Sequence, residues 1–576
     1  MFSRPRYGAI LAVLFAAIGV LALARFWGMG LFFWDSLTCH VNGAKWLADG
    51  PSAFWADIWH GMVEMGRFQA FLQIVCNLLF CAIDFKLSPD ANAWWPLFGL
   101  TTFLSLAVFS WGVGAYLESA LAGGLVFVAV MSGVTLNLDG HLFDTWPNFA
   151  VCFAFWGAAL ACERRPFRLW AALFYFLAIC LGNEAMVLFV LGLAGGRFLC
   201  LRGKDRLREC AVPVLGSTLF VLCFVGFRHW FPSRYEGTML SLSEPWHSFL
   251  TWRNISVSQL PGYDFLRLTV MHGRQFGGFL LVLGHHPGWI ALLAAFAAAC
   301  VGAAWFLLQG SRKENREPAS FAKETALIWG LAIGVLLNNI PLAVTPKYRE
   351  WFRSAHHGFY YLYSFYGYAA LCVIAVLLFW RVRTRKWAVV ALLVFIGLNA
   401  VTSGLSSRYY LAEITRLSGH WSLFESLAGR GDIFPSDRVC HVVAPQFRNL
   451  PGMKRLGVYR ELKARILGLP AVRVDFLEKA PEHLQPGENY YLLSLDDTLS
   501  NPLQSRAVLR LASWPSGPVV KGSIWIFANP AGKSGIDRRV YPKALKDFRE
   551  TSLSPSHKII RLDDFEGGLA DWKIKP

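Results

Sequence analysis

The chain has 576 residues, of which 55% are hydrophobic and only 16% charged, and its mean hydropathy is +0.40. Soluble proteins carry about 25% charged residues, whereas this chain has many apolar runs near the roughly 20 residues that a membrane-spanning helix needs. The composition therefore excludes an ordinary soluble protein and predicts an α-helical polytopic membrane protein. The formal charge of +17 does not indicate a nucleic-acid partner, because the basic residues form short clusters between apolar runs, as cytoplasmic loops do.

The first apolar run, near residues 8–27, follows Arg4 and Arg6, so the N-terminus is predicted to be cytoplasmic. The run is predicted to cross the membrane, so that Asp35 lies on the side opposite the cytoplasm. The aromatic residues before this Asp suit an interfacial position. We do not expect a cleaved signal peptide, because no Ala-x-Ala-like site is present and a second amphipathic stretch follows.

Residues 36–93 form a long first outer loop that is rich in Trp. Within it, Gln69, Gln73 and Asn77 recur at the spacing of one helix face, which predicts an interfacial helix over residues 68–83. Glu64 and Arg67 precede this helix as candidate substrate contacts. An ordinary ion pair between two residues three positions apart is the alternative for them.

Hydropathy and basic cytoplasmic turns predict ten further spans. They lie near 95–115, 120–137, before Glu163, in two short helices within 169–201, and near 211–228, 288–309, 325–344, 359–380 and 387–404. Residues 229–287 are predicted to be a polar outer loop. With eleven spans, residues 1–404 form a transmembrane domain and residues 405–576 an extracytoplasmic mixed α/β domain.

On this topology a set of acids and bases meets at the outer face of the membrane. Ionisable groups at membrane depth cost about 2.5–3.5 kcal/mol each on insertion scales, so they are commonly paired, hydrated or functional. The alternatives are a solvated loop acid or a helix cap for the carboxylates and headgroup contact for the bases. The set comprises Asp35, Glu64, Asp144, Glu184, Arg67, Arg349, Arg353, His356 and His357.

Acids beside bases at an outer membrane interface suit transfer from a lipid phosphate. A carboxylate can serve as general base on an acceptor hydroxyl. Arginine and histidine can hold the phosphate leaving group through charge-assisted hydrogen bonds. The donor's tail stays in lipid while its sugar lies outside, so the site must be amphipathic.

The order of these features resembles the GT-C superfamily of glycosyltransferases, which includes the protein O-mannosyltransferases and the lipid A aminoarabinose transferase. Asp35 matches the family's first acid after helix 1, and Asp144 matches its second acid. The stretch 66–72 occupies the place of the interfacial helix, and the segment 347–357 that of a basic phosphate-contacting segment. The chain lacks the family's acidic pair at the first acid and its His-Pro-Pro-type opening of the interfacial helix, which leaves the donor and the metal open.

The resemblance implies an enzyme that transfers a sugar from a polyprenyl-phosphate donor on the outer face of the cytoplasmic membrane. Asp35 would be the general base, and Asp144 and Glu184 would orient the acceptor or a divalent cation. Arg349 and Arg353 would hold the polyprenyl phosphate. The acceptor would be a glycan, a lipid or a protein of the envelope. A flippase of lipid-linked glycans and a non-catalytic envelope-assembly protein are the alternatives.

Overall fold

The computed structural model describes residues 5–24, 35–87, 94–134, 147–163, 168–182, 185–233, 240–271, 273–284, 286–311, 318–354, 364–428, 439–443, 461–468, 473–477, 489–496, 507–514, 523–528, 551–554 and 557–563. Some side chains within these ranges, including those of Asp35 and Arg353, lie outside the description.

Nineteen α-helices and one π-helical turn precede the strands in the described residues. Those before residue 231 are α1 (Pro5–Ala24), α2 (Asp35–Asp49), α3 (Pro51–Trp59), the π turn (His60–Glu64), α4 (Ala70–Leu87), α5 (Trp94–Tyr116), α6 (Ala120–Ser132), α7 (Pro147–Cys162), α8 (Arg168–Gly182), α9 (Ala185–Cys200) and α10 (Gly203–Trp230). The later ones are α11 (Pro245–Val257), α12 (Tyr263–Met271), α13 (Gly273–Leu283), α14 (Pro287–Ser311), α15 (Pro318–Leu337), α16 (Ile340–Ala343), α17 (Pro346–Ser354), α18 (Ser364–Arg381) and α19 (Lys386–Ala428).

Six helices are long and apolar enough to cross a membrane, and five shorter apolar helices accompany them in the described residues. Each of the eleven predicted spans overlaps one of these helices. The prediction of a helical fold is therefore confirmed, and the lengths and composition of these helices are consistent with the predicted membrane protein, while the direction of each helix through the bilayer stays a prediction.

Three boundaries differ from the prediction. Residues 229–287 are not a polar loop, since α11, α12 and α13 occupy most of them. Helix α10 begins at Gly203, eight residues before the predicted span near 211–228. The predicted domain boundary at residue 404 falls inside α19, which continues to Ala428.

Close packing of the helices depends on glycine. A Cβ at Gly196 of α9 would lie 2.3 Å from the Ala326 oxygen and the Gly330 nitrogen of α15. A Cβ at Gly112 of α5 would lie 2.0 Å from the Gly157 oxygen of α7. Small residues let helix backbones approach in lipid, where no hydrophobic effect drives helices together.

A buried ion pair joins the end of α7 to α9. The Arg197 Nη2 lies 2.8 Å from the Glu163 Oε2, and both side chains are almost fully buried. Tyr175 of α8 donates its hydroxyl to the Glu163 Oε1 at 2.6 Å. The guanidinium of Arg197 also lies 4.9 Å from the ring centroid of Tyr116 in α5. One charged pair therefore connects four helices.

The chain divides into two compact units. Unit 1 comprises Met1–Trp27, Ser52–Phe80 and Trp94–Tyr410, and unit 2 comprises Gly28–Pro51, Cys81–Ala93 and Leu411–Pro576. The tail therefore forms a unit together with part of the predicted first outer loop.

Within unit 2, the described strands form one sheet in the order β2-β1-β3-β4-β5-β7-β6. β1 pairs in parallel with β2 and β3, and the other pairs are antiparallel. Arg465, in a helix over residues 461–467, pairs with Asp49 at the end of α2. The strands are β1 (Val439–Val443), β2 (Arg473–Leu477), β3 (Asn489–Asp496), β4 (Ala507–Trp514), β5 (Ser523–Ala528), β6 (Thr551–Ser554) and β7 (His557–Asp563).

Candidate active site

The structure describes the side chains of only three predicted site residues, Glu64, Arg67 and Arg349. Asp35 is the first residue of α2, and Arg353 belongs to α17, but their side chains lie outside the description. The convergence of all the predicted residues therefore stays a prediction. Those that lie entirely outside the described residues are Asp144, Glu184, His356 and His357.

Glu64 ends the π turn on an exposed surface. Its Oε2 lies 2.5 Å from the Nδ1 of His60, one turn earlier, and more than half of each side chain is exposed. An exposed pair of this kind contributes at most about 1 kcal/mol to stability. Glu64 is therefore accessible to solvent, as a substrate contact has to be.

The turn between Glu64 and α4 is held by the end of α10. Gly66 has φ +63°, and a Cβ there would lie 2.8 Å from the backbone oxygen of Phe231, so the turn requires glycine. The Ser233 hydroxyl donates to the Met65 oxygen at 2.8 Å. The Arg228 Nε donates to the Gly66 oxygen at 3.3 Å. These bonds bring Arg228, which the sequence analysis did not select, beside the predicted Arg67.

Next to this turn lies an open apolar groove of about 660 Å³. Phe68, directly after Arg67, lines the groove; its ring stacks on that of Phe176 with centroids 6.3 Å apart and is tilted against that of Phe227, 6.4 Å away. A groove of this volume is in the range of small-molecule sites. Its lining residues come from the π turn, the turn that follows it, α4, α8 and α10 and are Met62, Phe68, Phe71, Leu72, Phe176, Leu222, Cys223, Gly226, Phe227 and Trp230.

The three amides of the predicted interfacial helix contact the protein. Gln69 and Asn77 are buried, and Gln73 donates to the backbone oxygen of Cys180 at 2.9 Å. Carbonyls at a helix end need such donors, because they have no partner within the helix. The Gln73 side chain therefore completes the end of α8, and the interfacial position of the predicted helix stays a prediction.

Asn148, at the start of α7, also bonds the end of α8. Its Nδ2 donates to the Leu181 oxygen at 2.8 Å, and its backbone nitrogen lies 3.4 Å from the Asn77 Oδ1. Asn148 follows the predicted acid Asp144 by four positions, and Leu181 precedes Glu184 by three. The structure thus brings together the chain segments that adjoin the two acids.

The end of α6, which leads toward Asp144, is fixed by a second polar cluster. Tyr368 donates to the Val130 oxygen at 2.9 Å, and the Asn399 Nδ2 donates to the Ser132 hydroxyl at 3.0 Å. Ser403 donates to the Ser132 oxygen at 2.6 Å. These residues were missed because a lone polar residue in an apolar helix gives no local signal. Their buried hydrogen bonds hold the end of α6 in place.

Arg349 is buried, with only 4% of its side chain exposed. Its Nη1 lies 3.5 Å from the Ser248 hydroxyl and 3.7 Å from the Glu244 Oε2, whereas its Nε has no hydrogen-bond partner among the described residues. In this conformation Arg349 connects α17 to α11 and is shielded from a ligand on the surface.

No group of three or more His, Cys, Asp or Glu residues suited to a metal is present in the part of the chain that is described. This part contains an apolar aromatic groove beside the turn that carries Arg67, and Arg228 of α10 is bonded to that turn. Such a site can hold an amphipathic ligand with an anionic head. No model of a known protein family and no curated protein matches the chain.

Proposed function

We propose that the protein is a membrane glycosyltransferase that moves a hexosyl or pentosyl group from a polyprenyl-phosphate donor to an envelope glycan, lipid or protein. The transfer takes place on the outer face of the cytoplasmic membrane. The observation that carries this proposal is the groove beside the Arg228–Gly66 contact. A polyprenyl phosphate has the matching parts, a long apolar tail and a compact anion.

The groove selects the tail by shape. The tail moves from lipid into an equally apolar site, so little hydrophobic free energy is gained. Close packing against the groove therefore has to distinguish the donor's tail from the acyl chains of ordinary lipids. The rings of Phe68, Phe176 and Phe227 offer flat surfaces against which an unsaturated chain can pack. Arg67 and Arg228 then hold the phosphate and stabilise the charge that develops on it as the sugar leaves.

Asp35 takes the proton of an acceptor hydroxyl, and the resulting oxygen nucleophile attacks the anomeric carbon. The bond from that carbon to the phosphate oxygen breaks, and polyprenyl phosphate leaves with both electrons, so the anomeric configuration inverts. The bond between Asn148 and Leu181 supports a shared location for Asp144 and Glu184, which orient the acceptor. General-base catalysis by Asp35 would contribute about 10²–10⁴ in rate.

Residues 405–576 are proposed to form an extracytoplasmic α/β domain that recognises the acceptor. The described part of this region contains one sheet and the helix over residues 461–467. Because Arg349 is buried against α11, we assign it to fixing the outer helices, and we assign the phosphate contact to Arg67 and Arg228, with Arg353 kept as a further proposed phosphate contact.

The full chain in vesicles, supplied with a radiolabelled polyprenyl-phosphate sugar and envelope acceptors, tests the proposal. The natural protein should form a labelled product. Asp35→Asn should lower turnover by roughly 10²–10⁴ while donor binding persists, because only the proton acceptor is lost. Asp57→Asn, the same change in the neighbouring helix α3, is the matched control and should leave turnover unchanged.

Two outcomes contradict the proposal. Movement of the labelled lipid across the vesicle membrane without product indicates a flippase. Normal turnover of the Asp35→Asn variant removes the proposed base. Cells lacking the gene should accumulate the donor and lose the product, and mass analysis of envelope lipids and glycans measures both.

A further inference from the structure

Helix α11 has its polar face toward the protein and its apolar face outward. Its buried positions are Ser248, Thr251 and Ile255, and the turn after it adds the buried residues Ser258 and Gln259. Four of these five residues are polar. A helix on the surface of a water-soluble protein has the opposite arrangement.

The inner face of α11 is hydrogen-bonded to the end of a candidate membrane span and to its neighbours. The Trp252 indole donates to the Leu336 oxygen of α15 at 2.8 Å. The Asn339 Nδ2 donates to the Ser256 hydroxyl at 3.3 Å, and the Ser258 hydroxyl lies 2.7 Å from that of Ser364 in α18. These bonds fix α11 at the depth at which α15 ends.

The outer face is aromatic and aliphatic. Trp246 and Phe249 are 65% and 47% exposed, and their rings stack with centroids 5.6 Å apart. Phe249 stacks in turn on Trp252 at 5.8 Å. Val257 and Leu260 extend this surface toward α12. We define Trp246, Phe249, Val257 and Leu260 as the outer face of α11.

This surface continues onto its neighbours. Leu336 and Ile340, where the candidate span Phe321–Ala343 ends, are exposed. Leu266 and Val270 of α12 are exposed as well. Soluble proteins rarely expose an apolar surface of this extent. Because α11 is bonded directly to the end of a span whose side chains also face outward, the solvent common to both surfaces is lipid.

We infer that α11 lies in the membrane interface, with its outer face against the acyl chains of the bilayer. Arg253 is exposed on the same side of the helix and bonds Asn254 through its Nε and Nη2. A long cationic side chain in this position extends to the lipid phosphates while its methylene groups stay among the apolar side chains. Trp and Phe stacked beside it are typical of interfacial helices. This inference does not depend on the proposed enzymatic activity.

Photocrosslinking tests the contact. A photoreactive benzoylphenylalanine replaces Phe249 in the full chain, which is reconstituted in vesicles of phosphatidylethanolamine and phosphatidylglycerol. Illumination should give protein–lipid adducts that mass spectrometry detects. The same residue at position 461, exposed in the tail, is the control and should give no lipid adduct above background. Position 246 serves as a second aromatic-for-aromatic site if the 249 variant does not fold.

Equal lipid adducts at 249 and 461 would overturn the inference, as would adducts at 249 that join two copies of the chain or a different polypeptide. Lipid adducts at 249 or 246 alone support it. Because no sugar donor is present, this outcome does not depend on transfer activity.

Discussion

Gly226 lines the groove, and a Cβ there would have no neighbour within 4 Å. Gly226→Phe therefore places a ring in the groove without disturbing the backbone. A misfit of about 1–3 kcal/mol corresponds to roughly a 5- to 150-fold rise in KM for a donor with a long tail. A donor truncated to one or two isoprene units should keep its KM, because its tail does not reach along the groove.

Gly277→Phe is the matched control for Gly226→Phe. Gly277 also lies in a helix, α13, with open space at its Cβ position, but it does not line the groove. This variant should transfer both donors as the natural protein does. If the two variants change the KM for the long donor alike, or if Gly226→Phe affects long and short donors equally, the groove does not hold the tail.

The buried ion pair of Glu163 and Arg197 is predicted to contribute to the free energy of unfolding. Arg197→Met leaves the Glu163 carboxylate buried without its cation, which should lower the free energy of unfolding by about 3–5 kcal/mol. Thermal unfolding in detergent measures the loss. The double variant Glu163→Gln/Arg197→Met removes both charges and should recover much of it. A double variant as unstable as Arg197→Met would show that the loss comes from packing and not from the unpaired charge.

Among helices, the contact of α9 with α15 depends on one of two adjacent glycines. A Cβ at Gly196 would meet backbone atoms at 2.3 Å, whereas one at Gly195 would lie 3.5 Å from the Ile333 Cδ1, an ordinary contact. Gly196→Ala should therefore destabilise the protein by about 1–3 kcal/mol, since backbone atoms cannot move aside cheaply. Gly195→Ala should be neutral or stabilise by up to about 1 kcal/mol through helix propensity. Equal unfolding temperatures for the two variants would contradict this interface.

Hydropathy located the apolar helices because length and apolar content are local properties of the chain. Helix α11 was not predicted because two of its three buried positions, Ser248 and Thr251, are polar, so a pattern that assumes polar residues outside assigns it to a loop. Arg228 could not be recognised either. Its contact with Gly66 joins positions 162 residues apart, and an arginine at the end of an apolar helix is typical of any membrane boundary.

The residue at which α19 ends and the residue at which the two units divide also depend on contacts between distant parts of the chain. Composition changes near residue 404, but the helix continues to Ala428 and the units divide after Tyr410. Residues 28–51 belong to the unit that contains the tail, as the pair of Arg465 and Asp49 illustrates. No local pattern in either segment specifies that partnership. A fragment limited to 405–576 would therefore lack part of its own unit.

For the whole molecule, the proposed chemistry requires an odd number of membrane crossings. Eleven crossings put the N-terminus in the cytoplasm and the C-terminus outside, and they put positions 35 and 144 on the same outer side. Alkaline phosphatase, which needs an oxidising compartment for its disulfides, should be active when fused after residue 576 and inactive when fused at the N-terminus. Green fluorescent protein, fused at the same two places, should show the reverse pattern.

Fusions of alkaline phosphatase after truncation at residues 35 and 144 extend this test to the acids. Both should be active, because a base and its orienting acid must face the same compartment to act on one acceptor. Activity at only one of the two positions would place Asp35 and Asp144 on opposite sides of the bilayer. No arrangement of the groove or of the tail could then make them one active site, and the transfer mechanism would fail even if α11 contacts lipid as inferred.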